Sequence, residues 1–420
     1  MKTGLAGAAA AAPAVASPRL LCVYQHAPTP GAPGIYRHRI YFAELVRRGF
    51  AVDVVSTPLN YMTGEVPARY RGRPYVHERI DGIDHHWVWA SGRIHASKGR
   101  RVANYGSFVA AAGLRSLSLP RPDVILVSSP PLPVGLLGPV LARRYRAPWL
   151  LEVRDIWPES AVAVGWLAEG SSAYRVLDRV ARSLAGSAAR VVVPTPGLVE
   201  HVRAHGAVGV DVVPGPVVDT APTAEERSAT RAELGLDDGT CMFLYAGAVG
   251  VANGLDLLLD AVEAIDPAVA LRVVIAGDGS ARAELERRVA DDATGRVQFL
   301  GPRPKDELRG LLAASDVCLH LLRPDPVFAT AQPTKMLEYF GAHRPVITTV
   351  PGRPQELALG SSGAFAGDVP ALAAELARWA AMPREERRRR GEEAFSFGDA
   401  NFGVEPAVDH FESILRRVIS

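Results

Sequence analysis

The string Gln332-Pro333-Thr334-Lys335-Met336-Leu337-Glu338-Tyr339 holds the residue types of this chain best suited to grip an anion. Proline fits the first turn of a helix, because its fixed φ is helical and its missing N–H has no partner to lose there. Thr334 and Lys335 then fall in that turn, where free backbone N–H groups and the helix dipole favour negative charge. A lysine at that end is repelled by the dipole unless a phosphate sits before it. Glu338 follows three residues on, on the same face, placed to bind a diol. The plainer alternative is a surface helix with a Lys–Glu pair.

A second constellation is Arg154-Asp155-Ile156-Trp157-Pro158-Glu159, directly after the apolar run 149–153. Arginine cannot act as a base at pH 7, but it can stabilise negative charge developing on a leaving phosphate. Asp155 or Glu159 could orient an acceptor hydroxyl; the alternative is an Arg–Asp pair and a Trp plug at a domain seam. His26 follows the first apolar run and is a candidate for acceptor contact. Gly31 to Gly34 form a loop whose backbone can approach a ligand closely, or a simple connecting turn. His85-His86 alternate with Trp87 and Trp89 and have no adjacent third ligand, so an amphipathic strand with one wet face is expected rather than a metal site.

These residues must be positioned by strands and helices. Apolar runs at 20–25, 51–57, 123–129, 149–153, 190–195 and 208–215 alternate with helix-period segments near 35–49, 101–118, 133–145 and 171–189, and 77–90 reads as a hairpin about Asp81-Gly82. The second half repeats the logic, with strands at 241–247, 271–277, 297–301, 316–322 and 345–350 and helices near 253–264, 280–291, 305–314, 333–341, 369–381 and 403–418. Near-continuous Val/Ile/Leu strands alternating with helices predict α/β architecture with a parallel sheet covered on both faces. Two such halves, split near 216–235, predict two Rossmann-like domains. Sites in such sheets lie at the carboxyl ends of the strands.

The 420 residues suit two domains; 48% are hydrophobic and 22% charged, a globular composition that excludes wholesale disorder. No apolar run is long enough for a transmembrane helix. A net charge of +2 argues against a nucleic-acid partner. Cys22, Cys241 and Cys318 lie far apart in apolar runs, which suggests a reducing compartment and neither a disulfide framework nor a zinc site. Residues 1–17 imitate a signal peptide but are mostly alanine, so a disordered tail is expected. Residues 1–120 carry fifteen Lys/Arg against six Asp/Glu, so the remainder is acidic. The excess, including Arg69, Arg71, Arg73, Arg100 and Arg101, fits an anionic membrane or substrate, or a set of merely solvated arginines.

The segment PTKMLEYFGAHRPVI resembles the nucleotide-binding helix of retaining GT-B glycosyltransferases of family 4, in a branch that includes O-antigen and colanic-acid type sugar transferases. The same branch is matched, in order, by LEVRDIWPESAVAVG (151–165), FLYAGAVGVANGLDLLLDA (243–261), VIAGDGSARAEL (274–285) and FLGPRPKDELRGLLAASDV (299–317). The resemblance implies two Rossmann-like domains facing across a cleft: an acceptor domain (18–216), a nucleotide-sugar domain (217–400), and a closing helix (401–420) returning to the first. It implies that Glu338 binds the donor ribose, that Thr334 and Lys335 hold the diphosphate, that backbone at Gly301 faces the base, and that Gly31 and Gly34 line the cleft. Gly247 and Asn253 belong to a donor loop in which many members carry Arg and Lys; here the matching residues are Ala248 and Asn253. A glutamate common eight residues before Glu338 is Thr330 here. Lys335, Arg154 and Asp155 are thus the catalytic candidates, with His26 and Glu159 on the acceptor side. The absence of any Asp-x-Asp pair fits metal-independent chemistry without a cofactor, the nucleoside-diphosphate sugar being a co-substrate. The acceptor would be a glycan, a lipid-linked sugar or a small molecule, and the protein cytoplasmic, peripheral on the inner face of the plasma membrane if the acceptor is lipid-linked. Competing functions are transfer to a soluble secondary metabolite, a non-catalytic nucleotide-sugar binder, and a GT-B-fold sugar-nucleotide epimerase.

Overall fold

The structure, a computed structural model, describes residues 17–31, 37–61, 64–92, 97–163, 166–290, 294–323, 326–330 and 332–420. Gly34 and nearly all of the N-terminal tail lie outside them. The first sheet holds β1 (Arg19–Tyr24), β2 (Ala51–Ser56), β3 (Tyr75–Ile80), β4 (Ile83–Val88), β5 (Val124–Ser129), β6 (Trp149–Val153), β7 (Arg190–Val193) and β8 (Val210–Val212), in the order β3-β4-β2-β1-β5-β6-β7-β8. Every pairing is parallel except β3–β4, the hairpin about Asp81-Gly82, where both turn residues have positive φ.

The second sheet holds β9 (Cys241–Ala246), β10 (Leu271–Ala276), β11 (Val297–Gly301), β12 (Val317–His320), β13 (Val346–Thr348) and β14 (Ala364–Phe365), all parallel, in the order β11-β10-β9-β12-β13-β14. Each sheet starts in its middle and winds outward in both directions. The reversal falls between β1 and β5 in one and between β9 and β12 in the other, the place where sheets of this kind bind ligands at the carboxyl ends of their strands.

The period-2 alternation of β9 shows how the helices are seated. Cys241, Phe243 and Tyr245 pack with Leu255, Leu258, Leu259 and Trp379, while Met242, Leu244 and Ala246 pack with Met336, Leu337, Tyr339 and Phe340. The latter four belong to the helix Thr334–Gly341, whose apolar face is thus fixed on the sheet while Thr334 and Glu338 stay exposed. Pro333 caps this helix rather than opening its first turn, so the helix begins one residue later than the sequence suggests.

The chain crosses between the two sheets twice, and the crossings touch: Val217 bridges Gly403, and its N–H donates to Phe402 O at 2.7 Å. The helix Val404–Ile419 then lies on the first domain, where Val408, Phe411, Ile414 and Leu415 join Leu20, Tyr41, Leu45 and Val52 in one core. The Tyr41 and Phe411 rings meet edge-on at 5.4 Å.

Among the described residues six α-helices were not expected from the sequence, four of them of eight residues or fewer, with Ala224–Glu233 and Arg384–Phe402 the longer two. Arg353–Gly360 is short, and Arg384–Phe402 has no apolar stripe. The latter packs through small residues instead: a Cβ on Gly391 would lie 2.3 Å from His343 O, and one on Gly398 would lie 2.9 Å from Phe340 Cβ. The expectation of a wet face at His85-His86 is corrected. Both histidines are buried, because Tyr75, Asp53 and Arg115 cover His86 from neighbouring elements. Among the described residues no helix is long and apolar enough to cross a membrane. Since Phe411 anchors the last helix at 4% exposure, Phe411→Ala is expected to cost about 3–5 kcal/mol, read as a lower urea midpoint.

Candidate active site

The donor side is assembled where β9, β10, β11 and β12 end. Gly247, directly after β9, has φ +152°, and a Cβ there would lie 2.7 Å from Lys335 Nζ. Gly277, after β10, approaches so closely that its Cβ would lie 1.7 Å from Gly247 O. Hydrogen bonds lace the three loops together: Gly247 N to Ala276 O, Gly277 N to Gly301 O and Val249 N to Asp278 O, each 2.9 Å. Glycine is required at 247 and 277 because a side chain would displace the lysine or the neighbouring backbone.

Lys335 reaches from the helix Thr334–Gly341 across to this loop. Its Nζ stands 4.6 Å from the centroid of the Tyr245 ring, a cation–π contact. Tyr245 is held in turn by its hydroxyl, which donates to Ala248 O at 2.7 Å. Burial lowers the Lys335 pKa to about 8, and the charge of Glu338 opposes that shift. His320, at the end of β12, shares a hydrogen bond between Nδ1 and Thr348 Oγ1 at 2.9 Å. Burial, then the charge of Lys335, lowers its pKa to about 3, so it is neutral. Gln332 adds a buried Nε2 without a hydrogen-bond partner among the described residues, just before the helix. Helix N-terminus, lysine and orphaned amide donor together gather hydrogen-bond donors and positive charge at one place, the features that favour an anion.

Asn253 is turned into its own loop, where Oδ1 accepts from Gly250 N at 3.1 Å. Two arginines that sequence reasoning passed over stand nearer the other candidates. Arg282 lies over Gly301, whose Cβ would come within 2.9 Å of its Nη1. Arg323, after β12, ties that loop to the β9 loop through Val251 O at 3.0 Å and Asp256 Oδ2 at 2.5 Å. Arg282 lies inside the matched segment 274–285 but was given no role there, and Arg323 lies outside every matched segment, among ordinary surface arginines.

On the first domain, Arg154 follows β6 and lies over the Tyr24 ring at 4.7 Å, donating to Pro130 O at 3.1 Å and to Tyr24 Oη at 3.4 Å. His26, after β1, meets the Tyr61 ring in a tilted contact at 5.0 Å; burial and then the Arg154 charge lower its pKa to about 3. Gly31 has φ +78° and open space where a Cβ would stand. Asp155 is engaged locally, Oδ1 accepting from Ile156 N at 2.9 Å and from Ser160 Oγ at 2.5 Å. Glu159 receives the Tyr174 hydroxyl at 3.2 Å.

Beneath Arg154 lies a buried cluster with no sequence motif. Glu152 accepts from His38 Nε2 at 2.6 Å and Ser128 Oγ at 2.5 Å and pairs with Arg37 Nη1 at 2.8 Å. Burial alone would raise its pKa, but His38 and Arg37 hold it well below the carboxylate range. Arg37 also donates to Val213 O at 2.7 Å, on the segment leading to the second domain. The domains touch where Thr195 Oγ1 donates to Thr330 O at 3.0 Å and Gly197 packs on Thr330.

Residues 31–216 match the family described as "Glycosyl transferase 4-like domain", and residues 240–381 match "Glycosyl transferases group 1". Each half of the chain is thus similar to a glycosyltransferase domain, and the two parallel α/β domains have the GT-B fold. The chain is 26% identical over 242 residues to a probable glycosyltransferase, WbjE, of Pseudomonas aeruginosa, covering 55% of this chain and 58% of that one. It is 31% identical over 150 residues to a GDP-mannose-dependent alpha-(1-6)-phosphatidylinositol dimannoside mannosyltransferase of Mycobacterium tuberculosis, covering 36% and 38%. The chain thus spans little more than half, or less, of the length of these relatives. The crystal structure of Anabaena Alr3699/HepE in complex with UDP and glucose superposes with a TM-score of 0.68 at 17% identity, covering 95% of this chain and 99% of that one.

Burying the Lys335 charge is a cost to the free protein. That cost is fully present below the folded pKa of about 8 and vanishes above the unfolded pKa of about 10.4, because only in between does the unfolded chain bind the extra proton. Lys335→Met is therefore expected to be more stable than the parent without ligand at pH 7. The gain should shrink as the pH rises from about 8 towards about 10.4, measured as paired denaturation midpoints.

Proposed function

We propose that the protein transfers a sugar, with retention of anomeric configuration, from a nucleoside-diphosphate sugar to an acceptor, in the manner of family 4 GT-B enzymes. The observation that carries this reading is the Lys335 ammonium set on the Tyr245 ring against Gly247, at a helix N-terminus beside the carboxyl ends of β9 and β12. The chemistry is displacement of a nucleoside diphosphate from an anomeric carbon. The diphosphate would lie along the first turn at Thr334 and Lys335, whose charge meets the negative charge that grows on the leaving group. Glu338, exposed one turn on, would bind the ribose hydroxyls, and Gly301 with Arg282 would border the base. Arg154 would add positive charge from the acceptor side. His26, neutral at pH 7, would offer hydrogen bonds to the acceptor rather than charge.

Asp155 and Asn253 are held in local hydrogen bonds, so neither is given a direct part in the transfer step. A thermal-shift screen with UDP, GDP, ADP and dTDP selects the base, since a ligand bound only by the folded state raises its stability. Lys335→Ala is expected to lower turnover on the order of 10²- to 10³-fold, measured by release of the nucleoside diphosphate; an unchanged rate sinks the assignment. Nucleotide binding without turnover in the parent protein would favour a non-catalytic binder.

The acceptor is proposed to be lipid-linked at an anionic membrane. Arg69, Arg71, Arg73, Arg79 and Arg100 are exposed on the first domain, and the mycobacterial relative is named for a phosphatidylinositol dimannoside. Each basic residue near such a surface is worth about 1 kcal/mol, screened by salt. Co-sedimentation with anionic vesicles at low salt, released at high salt, is the expected result; protein left in the supernatant at low salt points to a soluble acceptor.

A further inference from the structure

Glu159, His201 and His205 come together on the first domain, each offering one ligand atom, and these atoms lie within 4.8 Å of one another. The sequence hides the cluster. His201 and His205 are one turn apart, at the end of the helix Val199–Ala204, but Glu159 is some forty residues upstream and arrives by way of the sheet. Asp178 joins them from the helix Ser172–Ser187, with Oδ1 3.2 Å from His205 Nε2.

The outer atoms of these groups are held, and the inner ones are not. His205 Nδ1 donates to His201 O at 2.8 Å, which fixes the tautomer and leaves the Nε2 lone pair facing inward. Glu159 Oε1 receives the Tyr174 hydroxyl at 3.2 Å, and Asp178 Oδ2 receives Arg182 Nε at 2.9 Å. Glu159 Oε2 and His205 Nε2 are buried with no hydrogen-bond partner among the described residues, and the His205 side chain is 7% exposed. A lone pair on His205 Nε2 and a carboxylate oxygen of Asp178 facing each other at 3.2 Å repel unless a cation lies between them. A proton on His205 would satisfy that one contact and leave Glu159 Oε2 orphaned.

We propose that Glu159, His201 and His205, with Asp178 as fourth ligand, bind one divalent transition metal ion of the zinc class. Two imidazoles and carboxylate oxygens suit zinc over magnesium or calcium, which prefer all-oxygen shells. Ligand atoms around tetrahedral zinc stand roughly 3.3–3.5 Å apart for bonds of about 2.0–2.1 Å; here Asp178 Oδ1 and His205 Nε2 are 3.2 Å apart and the ligand atoms of Glu159, His201 and His205 lie within 4.8 Å of one another. The ion stands apart from the diphosphate site and takes no part in the transfer. It pins the loop that follows Arg154 to the helix whose preceding residues, Thr195 and Gly197, rest on Thr330 of the other domain. Its role is to position the acceptor loop and the domain seam.

The test uses the full chain stripped with a chelator and titrated with ZnCl2 by calorimetry, with CoCl2 as an absorbing probe. The expected result is one equivalent of zinc per chain, a higher melting temperature with zinc, and a visible cobalt spectrum of tetrahedral type. His201→Gln and Glu159→Gln should lose more affinity than the roughly 10- to 100-fold that an outer-shell partner carries. Tyr174→Phe, which removes only the hydroxyl holding Glu159, should lose an amount within that range and melt like the parent in chelator. If the parent binds no zinc, or if all three variants bind it as tightly as the parent, the proposal is overturned.

Discussion

The arrangement turns on one ammonium group. Lys335 is drawn into a partly buried position at the positive end of a helix, where dipole and desolvation both oppose its charge. The Tyr245 ring face and the field of Glu338 compensate only in part, and the lysine pKa falls to about 8. A bound diphosphate would remove the conflict. The bareness of Gly247 goes with it, since a Cβ there would stand 2.7 Å from Nζ. The sheet order sets the place: the carboxyl ends of β9 and β12 lie side by side at the point where the winding of the second sheet reverses.

The first domain answers with a different device. Glu152 gathers Arg37, His38 and Ser128 beneath Arg154, so the cation facing the cleft stands on a neutralised floor rather than on bare backbone. Because Arg37 also holds Val213 and Tyr41 also holds Pro214, the same cluster grips the segment that leads into the second domain. With the bridge from Val217 to Gly403 beside it, the two crossings between the sheets are held to each other and to the first domain.

The repeating strands and the helix Thr334–Gly341 were legible because each is local: β9 and this helix declare themselves in short runs of sequence. Lys335 and Gly247 could be named for the same reason. The Glu152 cluster could not, because Arg37 and His38 are separated from Glu152 by most of the first domain and meet it only through the order β1-β5-β6. Arg323 was invisible among many surface arginines, and Arg282, though inside the matched segment 274–285, carried no mark of its own there. The helix Arg384–Phe402 was missed because it packs by glycine and alanine, leaving no apolar period to read. His85 and His86 were misjudged because strand alternation says nothing of what covers the second face.

Proton uptake on binding tests the central claim most directly. At pH 9 a lysine with a pKa of about 8 is mostly neutral, and a diphosphate placed against it must restore its charge. Calorimetric titration of the tightest nucleoside diphosphate, in buffers of different ionisation enthalpy, should show uptake of about one proton per site, absent in Lys335→Met. A binding enthalpy independent of buffer, with tight binding retained in the variant, would show that the diphosphate does not lie against Lys335.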